Sequence, residues 1–191
     1  NMEILAEFGT AEQKERWLEP MLRGEARSCF SMTEPDTSGA DPTGLTTRAG
    51  RDGDDYVVNG RKWFTTGAVG ARFAIVMAVT APDAPSHLRS IQIIVPPDAP
   101  GFRIVRSISV MGHSGGSGHC EVVYEDCRVP VTNRLGPEGS GFAIAQARLG
   151  PGRNDRTRRR SRAGRRSDGG PGRSLAGLRT FAAERPGRWQ D

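Results

Sequence analysis

The sequence predicts an α+β protein with short N-terminal helices, then a small antiparallel β barrel or sandwich, then a disordered Arg-rich tail. Three observations predict this order. Apolar residues recur near helical spacing up to Glu25. Short apolar or alternating runs then follow, separated by Gly and Pro turns. After Gly152 the chain contains no Ile, Val, Met, Tyr, Cys, His or Lys and cannot build a core.

Two helices are predicted at the N-terminus. The first covers 3–8 and stops at Gly9. Thr10 and Gln13 then match a capping box that opens the second helix, which Pro20 is expected to bend or restart and which Gly24 closes.

The β region is predicted from turn residues and apolar runs. Asn59-Gly60 lies between the runs 56–58 and 61–65 and predicts a hairpin with a type I′ turn. Further strands are expected at 73–80, 90–95, 102–105 and 121–124. A Gly-rich joint at 136–141 leads into another helix from Phe142.

Charge is divided unevenly along the 191 residues. The chain has 27 basic and 22 acidic residues. Residues 152–191 hold 12 Arg and 4 acids, which leaves 15 basic and 18 acidic residues in 1–151. The body is mildly acidic, so any nucleic-acid binding would rest on the tail. Either a reading-frame shift in GC-rich DNA or an arm that binds phosphates would give this tail.

The cysteine count and the hydropathy indicate the cellular compartment of the protein. Cys29, Cys120 and Cys127 form no even framework and follow no secretory signal, so reduced thiols and a cytoplasmic location are expected. No apolar run reaches the ~18–20 residues of a membrane span.

The opening Asn1-Met2-Glu3 indicates a truncated N-terminus. His113, His119, Cys120 and Cys127 fit no common zinc spacing, so no metal site is expected.

The stretch from Phe30 to Asp41 runs from a short strand into a loop of hydroxyl groups and exposed backbone N–H groups. Such a loop is able to hydrogen-bond the edge of a ring with its first half and a phosphate with its second half.

Several motifs in order resemble the acyl-CoA dehydrogenase family. They are Met32-Thr33-Glu34-Pro35, Ser38-Gly39-Ala40-Asp41, Asn59-Gly60-Arg61-Lys62-Trp63-Phe64-Thr65 and Arg128-Val129-Pro130, with the helix from Gly9 to Leu18 before them. The resemblance covers roughly residues 1–153. It implies the end of an N-terminal helical domain at 1–26, the middle β domain at 27–139, the start of a C-terminal helical domain at 140–153, and an out-of-frame tail at 154–191.

The same resemblance implies FAD as the cofactor. Phe30, Ser31, Met32 and Thr33 would line the flavin ring edge, with the Thr33 hydroxyl at its pyrimidine end. Gly39 and Ala40 would approach the pyrophosphate, although many relatives have Ser at Ala40. Trp63, Phe64 and Thr65 would lie along the flavin face, with the Thr65 hydroxyl near N5.

The implied reaction is oxidation of the α–β carbon–carbon bond of acyl-CoA thioesters. The family's catalytic Glu lies in the C-terminal bundle, so no catalytic residue is assigned, Glu34 is expected to serve structure, and the chain alone is expected to be inactive. Implied partners are an acyl-CoA, an electron acceptor and, for the intact protein, further copies of itself. The alternative function is a non-catalytic β module whose Arg-rich tail binds nucleic acid; nucleic acid is not otherwise expected as a partner.

Overall fold

The computed structural model describes residues 1–39, 41–112 and 118–147. It confirms the predicted fold class, because a few short helices precede an eight-stranded, mostly antiparallel sheet. The Arg-rich tail and Ala40 lie outside the described residues.

The N-terminal helices are α1 (Met2–Phe8), α2 (Ala11–Gln13), a π-helical turn (Lys14–Leu18) and α3 (Glu19–Leu22). The capping box is confirmed. The Thr10 hydroxyl accepts the Gln13 N–H at 3.2 Å, and Gln13 Oε1 accepts the Thr10 N–H at 3.0 Å. Pro20 has no N–H to donate, and the wider turn before it, in which the Glu19 N–H reaches the Lys14 carbonyl, accommodates the ring.

The strands are β1 (Ser28–Ser31), β2 (Arg48–Asp52), β3 (Asp55–Thr66), β4 (Phe73–Val79), β5 (Ser90–Val95), β6 (Phe102–Ile108), β7 (His119–Pro130) and β8 (Arg134–Leu135). Their order in the sheet is β6-β7-β3-β2-β4-β5-β8, and β1 pairs in parallel with β4. Two 3₁₀ turns, Pro42–Gly44 and Val131–Asn133, and a helix α4 at 141–147 complete the described chain.

The predicted hairpin at Asn59-Gly60 is wrong. Both residues lie inside β3, where the register with β7 shifts between Val58 and Gly60. Asn59 exchanges two hydrogen bonds with Asp126 of β7, at 3.0 and 2.8 Å. The long pairing of β3 with β7 therefore overrides the local turn preference. The tight turn lies earlier, between β2 and β3, where Gly53 has a φ of +61°.

Strands β4 and β5 are buried on both faces, which explains their nearly continuous apolar sequences. One face of β4 and β5 packs into the interior of the sheet with Tyr56, Val58, Val122 and Tyr124. The other face packs against α1 and the π-helical turn through Ile4, Leu5, Trp17 and Leu18. The N-terminal helices are thus fixed to the sheet beside the end of β1. None of the helices in the described residues is long and apolar enough to cross a bilayer.

Candidate functional site

A cleft of about 480 Å³ opens where the ends of β1 and β3 meet the N-terminal helices. The sheet places the end of β1 beside the end of β3, and α1 and α3 form the opposite wall. The lining residues are Asn1, Met2, Met21, Ser28, Cys29, Phe30, Met32, Thr33, Phe64 and Thr66. The lining therefore combines apolar side chains with the polar groups of Asn1, Ser28, Thr33 and Thr66.

Thr33 and Trp63 hold the two sides of this cleft together. The Trp63 N–H donates to the Thr33 carbonyl at 3.0 Å, and the Thr33 hydroxyl donates to the Trp63 carbonyl at 2.7 Å. The Thr33 hydroxyl therefore has only its lone pairs left for a ligand. These bonds bring together two segments that lie thirty residues apart in the chain and that were predicted from sequence to share one site.

Phe64 occupies an unusual position at the cleft. Its φ of +49° is rare for an aromatic residue, and its side chain is 41% exposed. The ring lies 4.9 Å from that of Trp63 and 6.0 Å from that of His119, measured between centroids. The register shift between Lys62 and Thr65 produces this conformation and turns Phe64 outward. Strain at an exposed aromatic residue is typical of a ligand site.

Ser31 and Thr65 do not reach the cleft surface. Both side chains are buried, and their hydroxyl oxygens lie 3.2 Å apart. The hydroxyl of Tyr124 donates to Ser31 at 3.1 Å, and burial raises the pKa of Tyr124. The structure thus places the predicted Phe30, Met32, Thr33 and Phe64 on the cleft, with Ser31 and Thr65 in a hydroxyl network beneath it.

The loop after β1 brings the predicted phosphate segment next to the cleft. Gly39 is exposed, and a Cβ atom there would lie 3.6 Å from the Thr33 methyl group. Asp41 caps the following 3₁₀ turn by accepting from the Thr43 N–H at 2.9 Å and the Thr43 hydroxyl at 2.6 Å. The predicted Ala40 lies outside the described residues.

A buried ion pair lies beneath the cleft. Lys62 Nζ is 2.9 Å from Glu34 Oε1 and donates to the Met32 carbonyl at 2.8 Å; the side chains are 0% and 2% exposed. The other Glu34 contacts are the N–H groups of Thr46 and Thr47, at 2.8 and 2.9 Å, and the Thr46 hydroxyl at 2.6 Å. These contacts tie Glu34 to the start of β2 and to β3, which is a structural arrangement.

Burial and charge compete at this pair. Burial disfavours the Glu34 carboxylate, but the Lys62 ammonium and the hydrogen bonds from Thr46 and Thr47 outweigh it and lower the pKa of Glu34 to about 2. Burial dominates at Lys62 and lowers its pKa to about 8, against the opposing effect of Glu34. Both Glu34 and Lys62 are therefore charged at neutral pH.

Glu121 is the other buried carboxylate in the described part of the chain. Arg61 and Arg106 bind one oxygen each, and the hydrogen bond from Arg106 is the main cause of its lowered pKa. The three cysteines are free and buried, and the described residues contain no group of three or more metal-ligating side chains.

Sequence reasoning missed three contributors to the site: Lys62, Thr66 and His119. The Thr66 hydroxyl lies at the cleft, 2.7 Å from Nδ1 of His119. The sequence did contain a signal for the burial of Lys62. It lies an even number of residues after Tyr56 and Val58, which face the core of the sheet. The register shift between Lys62 and Thr65 hid the positions of Thr66 and its partner His119, because this shift changes which face the following residues occupy.

Residues 29–127 match the family model described as acyl-CoA dehydrogenase, middle domain. The chain belongs to the acyl-CoA dehydrogenase family. The matched segment contains both halves of the cleft that β1 and β3 supply, and the resemblance seen in the motifs is confirmed.

Two curated relatives illustrate the match. The Mycobacterium tuberculosis protein named "Probable acyl-CoA dehydrogenase FadE2" is 56% identical over 155 residues, which cover 80% of this chain and 38% of the relative. Acyl-CoA dehydrogenase family member 11 of Gallus gallus is 49% identical over 158 residues, with 80% and 20% covered. The chain thus spans well under half the length of these relatives.

Solved structures give the same result. The acyl-CoA dehydrogenase from Geobacillus kaustophilus superposes with a TM-score of 0.72 at 36% identity, over 77% of this chain and 38% of that one. A structure described as the electron transferring flavoprotein of Acidaminococcus fermentans superposes with a TM-score of 0.70 at 36% identity, over 75% and 37%.

Proposed function

We propose that this chain carries one half of the flavin site of an FAD-dependent acyl-CoA dehydrogenase that oxidises the α–β carbon–carbon bond of acyl-CoA thioesters. We further propose that the chain does not catalyse this reaction alone. The observation that carries the proposal is the pair of hydrogen bonds between Thr33 and Trp63, which joins the two family motifs at the edge of the cleft.

The cleft has the chemistry that a flavin ring needs. Phe30, Met32 and Phe64 supply apolar and aromatic contacts for a flat ring, and Thr33 supplies an acceptor in its hydroxyl oxygen. The exposed backbone at Gly39, beside Thr33, leaves room for a phosphate to approach the chain closely. In this proposal Ser31 and Thr65 support the cleft from beneath, and Ala40 continues the phosphate segment.

The protein and the cofactor have different tasks in such a reaction. FAD supplies the two-electron acceptor that the oxidation of a carbon–carbon single bond requires. The residues of this chain would hold the ring: Thr33 would fix its edge, while Phe64, with Trp63 packed against it, would form an aromatic wall that excludes water.

The described residues hold no free carboxylate at the cleft to take the α-proton of the substrate. The lining contains no Asp or Glu, Glu34 is saturated by three donors from Thr46 and Thr47 together with Lys62, and Glu121 is paired with two arginines. A missing general base lowers a rate by about 10²–10⁴-fold. The proposed base and the second half of the flavin site belong to parts of the protein outside the matched segment.

We also propose domain boundaries at 27 and 139, which enclose the matched residues 29–127. An electron acceptor and self-association would complete the intact protein. The three free thiols fit a reducing, cytoplasmic setting. The nucleic-acid alternative depends on the tail, and no feature of the described residues favours it.

The proposal is tested by titrating the purified 191-residue chain with FAD and following flavin fluorescence. We expect saturable binding that competing FMN or ADP displaces only weakly. We expect the same protein, with FAD and an acyl-CoA, to leave an artificial electron acceptor unreduced. Absence of FAD binding would contradict the flavin site, and measurable acyl-CoA oxidation would contradict the lack of a base.

A further inference from the structure

One peptide group connects the buried ion pair to the cleft. The carbonyl of Met32 accepts a hydrogen bond from Lys62 Nζ at 2.8 Å, and the N–H of the same peptide belongs to Thr33, which lines the cleft. The C=O and N–H of a planar trans peptide point in opposite directions. Since the Met32 carbonyl points toward the buried ammonium, the Thr33 N–H points away from it, on the side of the cleft.

The Thr33 N–H has no hydrogen-bond partner among the described residues, whereas the Thr33 carbonyl and hydroxyl are both paired with Trp63. The hydroxyl gives its hydrogen to the Trp63 carbonyl and keeps a lone pair. Thr33 therefore offers one donor and one acceptor side by side. This pattern complements an imide edge, in which a ring carbonyl lies next to a ring N–H.

Lys62 strengthens the donor. An ammonium bound to a carbonyl oxygen polarises the whole peptide, so its N–H becomes a stronger donor. The Lys62 side chain is 0% exposed, so water does not compete for its ammonium group. Glu34 keeps Lys62 in place, while the charge of Glu34 is shared with the donors of Thr46 and Thr47.

We propose that Lys62 is a positioning residue that fixes and polarises the Met32–Thr33 peptide for the imide edge of a bound flavin. The inference rests on the proposed function and adds to it a residue that lies wholly beneath the cleft. Lys62 touches neither the cofactor nor the substrate, and it acts through Met32 and Thr33.

The test uses the full 191-residue chain and two variants that separate positioning from stability. In E34Q/K62M both buried charges are removed, so the protein loses less stability than it would with one unpaired buried charge. The Met32 carbonyl nevertheless loses its hydrogen-bond donor. Thr46→Val removes the 2.6 Å bond to Glu34 and lowers stability, yet it leaves Lys62 on Met32. We expect the dissociation constant for FAD to rise about tenfold in E34Q/K62M, because one polarised hydrogen bond to the flavin is lost. In Thr46→Val we expect it to rise less than twofold.

A second measurement needs no flavin. In ¹⁵N–¹H spectra of the free chain, we expect the Thr33 amide signal to move in E34Q/K62M and to stay in place in Thr46→Val. An unmoved Thr33 amide in E34Q/K62M would overturn the inference whether or not FAD binds. A moved amide with unchanged FAD affinity would also overturn it. If the wild type bound no FAD while the amide moved, the proposed function would fail and the polarised peptide would stand.

Discussion

Lys62 Nζ lies 2.9 Å from Glu34 Oε1, and neither side chain reaches solvent. A charged pair inside a small sheet is stable only as a pair, because each charge left alone has no water to solvate it. The pair links the loop after β1 to the middle of β3, the two segments that form the candidate site. Its removal therefore affects both the fold and the cleft.

Replacing Lys62 alone is expected to be more harmful than replacing the whole pair. Lys62→Met leaves the Glu34 carboxylate buried without its cation and is expected to lower the free energy of unfolding by about 3–5 kcal/mol. In E34Q/K62M we expect a loss of no more than about 2 kcal/mol, because only hydrogen bonds are weakened. Urea unfolding of both variants, followed by circular dichroism, measures the difference.

A surface pair provides the matched control. Arg128 and Asp52 form an ion pair at 2.5 Å, but their side chains are 52% and 62% exposed. Arg128→Met is expected to change stability by less than about 1 kcal/mol. If Lys62→Met changed stability as little as Arg128→Met, the buried pair would not have the role that its geometry indicates.

The same pair predicts the response to acid. The folded pKa of Glu34, about 2, lies below its ordinary value of 4.5, so the unfolded chain binds a proton that the folded chain refuses. The stabilisation is complete above pH 4.5 and is lost as the pH falls toward 2, by an amount on the order of 3 kcal/mol. We expect the stability advantage of wild type over E34Q/K62M to fall over this range, so that the double variant is at least as stable as wild type at pH 2. A difference that stays constant between pH 5 and pH 2 would contradict the assignment.

Gly60 is predicted to be essential for packing within β3. A Cβ atom at this position would lie 2.3 Å from the hydroxyl oxygen of Thr47, so Gly60→Ala is expected to cost about 1–3 kcal/mol. Gly50, in the exposed part of β2, has no atom within 4 Å of such a Cβ and serves as the control. We expect Gly50→Ala to change stability by less than about 0.5 kcal/mol. Thermal unfolding of the two variants compares them directly, and equal melting temperatures would refute the close contact.

Substitutions at Phe64 test the strain of its backbone and its contribution to FAD binding separately. A Gly normally weakens a strand by about 0.5–1 kcal/mol relative to Ala. At Phe64, where φ is +49°, we expect Phe64→Gly to be more stable than Phe64→Ala by about 1 kcal/mol. Both variants should bind FAD several-fold more weakly than wild type, because each lacks the aromatic wall. Denaturant melts and FAD titrations of the two variants test this, and an Ala variant more stable than the Gly variant would show that the backbone is unstrained.

The general plan of the fold could be predicted from local sequence. Thr10 and Gln13 marked the start of a helix, and the apolar run of β5 marked a strand at 90–95, because capping and apolar patterning act over a few residues. The hairpin at Asn59-Gly60 was predicted wrongly, because contacts with Asp126 and Thr47, distant in the chain, decide the conformation there. Local turn preference does not include such contacts.

The candidate site was predictable to a similar degree. The motifs brought Thr33 and Trp63 to one place, because the family resemblance carries long-range information that residue patterns lack. The bulge at Phe64 changed the outcome for Thr65, whose side chain is buried while Thr66 reaches the cleft. A register shift of one residue moves every following side chain to the other face of a strand, and the sequence holds no local signal for it.

The central claim is that the cleft at Thr33 and Trp63 binds FAD. Its most direct test is a ¹⁵N–¹H spectrum of the 191-residue chain recorded during an FAD titration, with the indole N–H signals of Trp63 and Trp17 resolved. We predict shifts at Met32, Thr33 and Trp63 and an unchanged Trp17, which borders a separate cleft of about 690 Å³. Shifts at Trp17 without shifts at Thr33 and Trp63, or no shifts at saturating FAD, would contradict the claim.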